Sequence, residues 1–270
     1  MAEAPITLEG WYSLHDMYAV DWPRWNALSR ADQASITAEA SAVLGTLERP
    51  ADGHGAVFSL LSQKGDLCLM HWRRTLEDLR QAELSWARSR LRAFLVPTYS
   101  YLAVIELGGY ELSQHAAAMV ARAGTKPGDA GYDDAVRAEM ERIAKPRLFP
   151  SVPAKRYCCF YPMSKRRGEQ VNWYDLSTDE RAGFMKGHGE IGRRYAGKVV
   201  QVIQGSVGLD DWEWGVTLFA DDALVFKKLI YEMRFDPASS RFALFGPFYV
   251  GIRFVPDQLD QVLASGVAGA

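Results

Sequence analysis

The order strand, helix, strand, strand, helix, strand can be read along this chain twice, and that repetition restricts the fold more than any other feature. In the first half LEGWYSLHDMYAVDW is a mixed apolar strand, and a helix over about 31–47 follows, started by Ser29 with Asp32 three residues on. GAVFSLLS and DLCLMHWR are strands on either side of a turn at Gln63, Lys64 and Gly65. An amphipathic helix then runs from Thr75, its cap, to about Leu95, and PTYSYLAVIEL closes the set. From Tyr157 the order returns as YCCFYPMSK, a helix from Thr178 to about Tyr195, VVQVIQGS, EWGVTLFA, a helix over 223–233 and FALFGPFYVGI. Ser177 and Glu180 stand at capping-box spacing, and Asp221 with Asp222 is placed to cap the later helix. Each half reads as a ferredoxin-like unit. A four-stranded sheet with helices on one face leaves its other apolar face bare, so two such units are expected to join their sheets or to close them into a barrel. The expected class is α+β.

The boundaries fall at 1–110 for the first half, 111–153 for a linker or lid loop and 154–270 for the second half. The central tract concentrates Gly124, Lys126, Pro127, Gly128, Asp129 and Gly131, with room for one helix from Asp133 to Ala144. KPRLFP then brings Arg147 up to the second half.

Charge and apolar patterning exclude several classes of function. Lys plus Arg number 31 against 33 Asp plus Glu, a net charge of -2, which leaves no case for generic binding to nucleic acid or anionic membranes. No window approaches 18 uninterrupted apolar residues, so no membrane span is expected. Glu3 and Glu9 stand where a secretory signal would need a basic and then an apolar segment. Cys68, Cys158 and Cys159 form no CxxC unit, and a reducing, cytoplasmic setting is the simpler expectation.

Alternation along YCCFYPMSK puts Tyr157, Cys159, Tyr161, Met163 and Lys165 on one face, an odd inner surface for a core strand. Arg166, Arg167, Arg147 and Arg234 add cations, and a cationic cluster near an inward tyrosine suits a polycarboxylate ligand. On the following helix Phe184, His188, Ile191 and Tyr195 are spaced four, three and four, so His188 lies on the buried stripe. The commoner use of one such histidine is a hydrogen bond within the core. No second ligand stands at zinc spacing, whereas a single axial ligand to haem iron needs only one histidine. Gln201 and Gln204 interrupt the apolar run of VVQVIQGS on opposite faces. Trp212 and Trp214 read as sheet packing, and Cys158 and Cys159 as structural.

The segments YPMSKRR, NWY, FMKGHGEIGRRYAGKV, GLDDWEWGVTLFADD, FKKLIYEMRFDPASS and FGPFYVG closely resemble the coproheme decarboxylases of the chlorite dismutase superfamily. The resemblance covers nearly the whole chain, with its specific motifs in the second half. It implies a dimeric alpha/beta barrel in each subunit, assembled as a homopentamer, with iron coproporphyrin III in the C-terminal barrel as both substrate and redox cofactor. Hydrogen peroxide would be the oxidant, haem b the product, and the ferrochelatase that makes coproheme a transient partner. By motif, His188 takes the place of the iron ligand, and Gln201 the distal position at which chlorite-degrading relatives carry arginine. Tyr161 matches the tyrosine that becomes a radical, and Lys165 the lysine that assists the reacting propionate. Arg147, Met163, Arg234 and Ser239 match positions lining the propionate pocket. The tract from Gly124 to Gly131 has no match. A haem-binding or haem-delivery protein without turnover, and a peroxidase of the same fold, stay open as alternatives.

Overall fold

The computed structural model describes residues 7–264, so Glu3 lies outside the described residues. The first half contributes β1 (Thr7–Val20), α1 (Trp22–Asn26), α2 (Arg30–Glu48), β2 (His54–Leu60), β3 (Leu67–Arg73), α3 (Leu76–Ala87) and β4 (Leu95–Gly108). Two helices follow, α4 (Gly109–Arg122) and α5 (Tyr132–Leu148). The second half contributes β5 (Tyr157–Lys165), α6 (Thr178–Arg193), β6 (Val200–Gly205), β7 (Trp214–Ala220), α7 (Leu224–Met233), α8 (Pro237–Ser240), β8 (Ala243–Phe245), β9 (Tyr249–Phe254) and α9 (Leu259–Leu263).

The strands pair in the order β7-β6-β4-β1-β3-β2-β9-β5-β8, and β5 also pairs with β7. That extra pairing closes every strand but β8 into an antiparallel barrel, so among the described strands only the three-residue β8 is left at an edge. Within the halves the orders are β2-β3-β1-β4 and β6-β7-β5-β9, the same ferredoxin-like arrangement twice. The halves meet at β4 with β6 and at β2 with β9.

One face of every barrel strand points inward. Phe58, Met70, Trp72, Tyr101, Phe160 and Phe219 fill that interior. Burial of this many large apolar side chains is the main stabilising term. The interior also takes Gln204, whose Nε2 donates to Ser13 Oγ at 3.2 Å while Thr217 Oγ1 donates to its Oε1 at 3.3 Å. Gln204 is therefore the amide satisfied inside the barrel, and Gln201 belongs to the outer face. Outside, α2 and α3 cover the first half with a core that includes Trp25, Leu44 and Trp86, while α6 and α7 lie over the second half.

Three expectations need correction. The tract after β4 is a helical hairpin: α4 and α5 bury Leu112, Ala144 and Leu148 against Leu8 and Leu107. Its glycines sit in the turn between helices, where Gly124, Gly128 and Gly131 have positive φ, so they mark a helix connection and not a loop-long lid. The helix begun at Thr75 stops at Ala87 and is followed by a 3-10 turn over Arg90–Phe94, with Ser89 N–H bonded back to Trp86 O. FALFGPFYVGI is two strands, because Gly246 and Pro247 break it; a Cβ at Gly246 would lie 2.7 Å from Pro162 Cγ.

Candidate active site

Strand register assembles the outer face of the second half row by row. Cys159 pairs with Leu218 and that with Gln201; Tyr161 pairs with Val216 and that with Ile203; Met163 pairs with Trp214 on one side and Phe245 on the other. Paired residues share a face, so Tyr161, Met163 and Gln201 look the same way. Two strand spacings and two residues separate Tyr161 from Gln201, about 12 Å between Cα atoms. Helix α7 seals one side of this face with Val225, Phe226, Leu229 and Met233. Helix α6 buries no residue fully, and its inward stripe of Phe184, His188 and Ile191 is only half-buried. Gln201 is exposed on the same outer face.

His188 has one nitrogen already committed. Its Nδ1 lies 2.7 Å from Asp236 Oδ2, and Asp236 is buried as the N-cap of α8, its side chain also accepting from Ala238 N and Ser239 N. A carboxylate accepting at Nδ1 selects the tautomer that leaves Nε2 as a lone pair, the arrangement typical of metal-binding histidines. Among the described contacts nothing engages Nε2. Among the described residues no group of three His, Cys, Asp or Glu could hold a metal ion.

Tyr161 is buried, and its ring stacks on Phe248 at 4.6 Å and lies 5.8 Å from Phe245. Burial pushes its phenol well above the ordinary tyrosine range and the Cys159 thiol adds to this, while the Arg234 guanidinium opposes it. Tyr161 therefore keeps its proton at neutral pH. Arg234 is itself exposed, its guanidinium 3.9 Å above the Phe245 ring.

Lys165 ends the strand in a nearly closed box. Its Nζ donates to Ala238 O at 3.2 Å and sits 4.1 Å above the Trp173 ring, while its backbone N–H donates to Glu213 Oε2 at 2.7 Å. Burial lowers its pKa to about 8 against the opposing pull of Asp236 and Glu213. Lys165 is thus a poorly solvated cation.

The expected site residues come together unevenly. Tyr161, Met163, Lys165 and Gln201 share the outer face of the second half, the Arg234 guanidinium is near enough to act on Tyr161, and Asp236 links His188 to Lys165. Ser239 is buried, its Oγ donating to Asp236 Oδ2 at 3.1 Å, and so supports the histidine's partner. Arg147 is exposed in the last turn of α5, a helix whose neighbours are β1, β4 and α4, and no described contact ties it to the others. Sequence reading missed Asp236, Trp173 and Glu213. Asp-Pro before a short helix was the available sign for Asp236, as an N-cap, but nothing local marked it as the partner of a residue 48 positions earlier.

A family model described as chlorite dismutase matches residues 33–254. The chain belongs to the chlorite dismutase family. Within that family it is 43% identical to a coproheme decarboxylase of Staphylococcus saprophyticus over 98% of this chain and 100% of that protein. It is 42% identical to a proposed heme-binding protein of Natronomonas pharaonis, matching 97% of this chain but 42% of that longer protein. Among solved structures, a heme-binding protein from Thermus thermophilus superposes with a TM-score of 0.82 at 38% identity, over 98% of this chain and 99% of that one. A mutant chlorite dismutase from Candidatus Nitrospira defluvii shares the fold, with a TM-score of 0.71 at 17% identity over 94% and 95% of the two chains.

Proposed function

We propose that the protein is a coproheme decarboxylase, which converts iron coproporphyrin III to haem b with hydrogen peroxide. The observation that carries this reading is a histidine whose Nδ1 is held by Asp236 and whose Nε2 meets no described contact, on the side of the second half that also holds a buried phenol and a poorly solvated lysine. The full-length likeness to a coproheme decarboxylase supports it.

The porphyrin would lie between α6 and the outer face of β5, β7 and β6. His188 Nε2 would hold its iron, with the ring kept in orientation by Asp236 and, behind it, Ser239. Gln201 would face the peroxide side. Bound there, the iron porphyrin supplies the oxidising equivalents of peroxide. Tyr161 would then work as a hydrogen-atom carrier: its phenol is protonated at neutral pH, and because a one-electron-oxidised phenol is a strong acid, loss of the electron is accompanied by loss of the proton, which leaves a neutral radical able to take hydrogen from the propionate β-carbon. Loss of a further electron and of carbon dioxide leaves a vinyl group. In balance, one propionate, one hydrogen peroxide and one proton give one vinyl group, one carbon dioxide and two waters, and the cycle runs twice. Lys165 would hold the reacting carboxylate by charge-assisted hydrogen bonding, with Arg234 as a further cation and Met163 as an apolar wall, while Arg147 in α5 has no described contact with this group. The same reading places the enzyme in the cytoplasm as a homopentamer, receiving coproheme from a ferrochelatase.

The rival reading, a haem carrier without turnover, draws on relatives described as heme-binding. A carrier has no need of a phenol beside a propionate. Tyr161→Phe discriminates: it should bind coproheme like the wild type, by visible spectrum, and fail to release the first carbon dioxide when peroxide is added. Normal release by this variant would remove Tyr161 from the reaction.

A further inference from the structure

Helix α6 carries four glycines in 16 residues, Gly183, Gly187, Gly189 and Gly192, on the element that presents His188. Packing does not require three of them. A Cβ at Gly183 or Gly187 would meet no atom within 4 Å, and at Gly192 it would make only an ordinary contact, 3.8 Å from Met233 Cε. The neighbouring α7, by contrast, has no glycine in its ten residues. Glycine in a helix interior weakens it about fivefold relative to alanine at each position.

Tertiary contacts do little to offset this. No residue of α6 is fully buried. Its beginning is pinned by the Ser177 and Glu180 capping box and by Phe184 against Trp173 and Phe242. Just beyond its end, Tyr195 Oη donates to Glu232 Oε1 at 2.6 Å and Arg194 pairs with Glu232 Oε2 at 3.0 Å. Between these anchors the described polar ties both fall on His188, whose Nδ1 lies 2.7 Å from Asp236 Oδ2 and 3.5 Å from Ser239 Oγ, and Ile191 packs half-buried against the outer core. An open depression lined by Ile191, Arg194, Glu232 and Phe235 lies beside the last turns.

We infer that α6 is the gate for the macrocycle: it opens locally as a unit, and tetrapyrrole enters and leaves by that opening. The inference rests on the proposed placement of the porphyrin between α6 and the sheet. A planar ligand seated between α6 and the sheet has to give up its contacts with α6 to leave, and the element with the lowest local stability is the one that separates first. The glycines keep that opening frequent.

The test uses Gly183→Ala, Gly187→Ala, their double variant and, as a control, Gly45→Ala in α2, another site with no atom within 4 Å of a built Cβ. Amide hydrogen exchange of the ligand-free full chain and the rate of haem b transfer to excess apomyoglobin are both measured. Exchange within α6 should slow about fivefold for each single variant and about thirtyfold for the double, and haem transfer should slow in step. Gly45→Ala should protect α2 and leave transfer unchanged. Slower exchange in α6 with unchanged transfer would overturn the gate, as would equal slowing by Gly45→Ala, or faster transfer from the alanine variants, which would mean that the glycines make room for the ring. Failure of the wild type to bind haem b or coproheme would overturn the proposed function, and the gate with it, while the exchange data would still measure α6.

Discussion

Replacing Lys165 by methionine should stabilise the ligand-free protein and weaken its grip on a carboxylate-bearing porphyrin. Burial lowers the Lys165 pKa from 10.5 to about 8, net of the favourable charges of Asp236 and Glu213. At about 1.36 kcal/mol per pH unit, the charged form costs the folded state about 3 kcal/mol. Methionine removes that cost and forfeits the hydrogen bond to Ala238 O, worth about 1 kcal/mol, for a net gain of about 2 kcal/mol at pH 7. For a chain of this size that is a rise of roughly 5 °C in Tm. The pH dependence fixes the cause. The folded pKa lies below the unfolded one, so the unfolded chain binds more protons between about 8 and 10.5 and wild-type stability rises through that window. The penalty is complete below about pH 8 and falls to under about 1 kcal/mol at pH 10, so the two proteins should converge there. Denaturant unfolding of both at pH 7 and pH 10, without ligand, measures this. A variant less stable than wild type at pH 7, or a gap that does not narrow at pH 10, would refute the reasoning.

Coproheme affinity should fall above about pH 8 as Lys165 loses its proton, and the fall should be absent in Lys165→Met; fluorescence titration across pH 7 to 9 reads it, and parallel profiles would exclude Lys165 as the carboxylate partner. Asp236→Asn should still bind haem but weaken the pull on His188 Nδ1–H, lowering the iron–histidine stretching frequency in resonance Raman spectra; an unchanged frequency would deny Asp236 that role. Gly10→Ala should destabilise the protein by about 2 kcal/mol or more, since a Cβ there would lie 1.9 Å from Leu148 O where β1 meets α5, and unchanged thermal unfolding would show that α5 moves freely.

Local periodicity and caps made much of the architecture legible. The alternation of YCCFYPMSK placed Tyr161 and Lys165 on the face they occupy, and Ser29, Thr75 and Ser177 cap the helices their spacing indicated. What stayed hidden depends on contacts between distant segments. Which of Gln201 and Gln204 enters the barrel is set by closure of β6 against β4 and β7, and apolar residues stand on both faces of that strand, so composition could not decide it. The α4–α5 hairpin was hidden because the glycines and proline of its turn read as a long loop. The bond between His188 and Asp236 joins segments 48 residues apart, and the half-burial of the α6 stripe reflects a layer that does not fully close. The individual roles of Gln201, Arg147 and Ser239 came from the family resemblance, and Ser239 and Arg147 show how far geometry and such roles can differ.

The central claim is turnover of the porphyrin, and mass spectrometry of the tetrapyrrole during stepwise addition of hydrogen peroxide to the coproheme complex tests it most directly. The account predicts two successive losses, each of one carbon dioxide and two hydrogens and each consuming one peroxide, ending at haem b. Peroxide consumed while the porphyrin keeps all four carboxyl groups would contradict it.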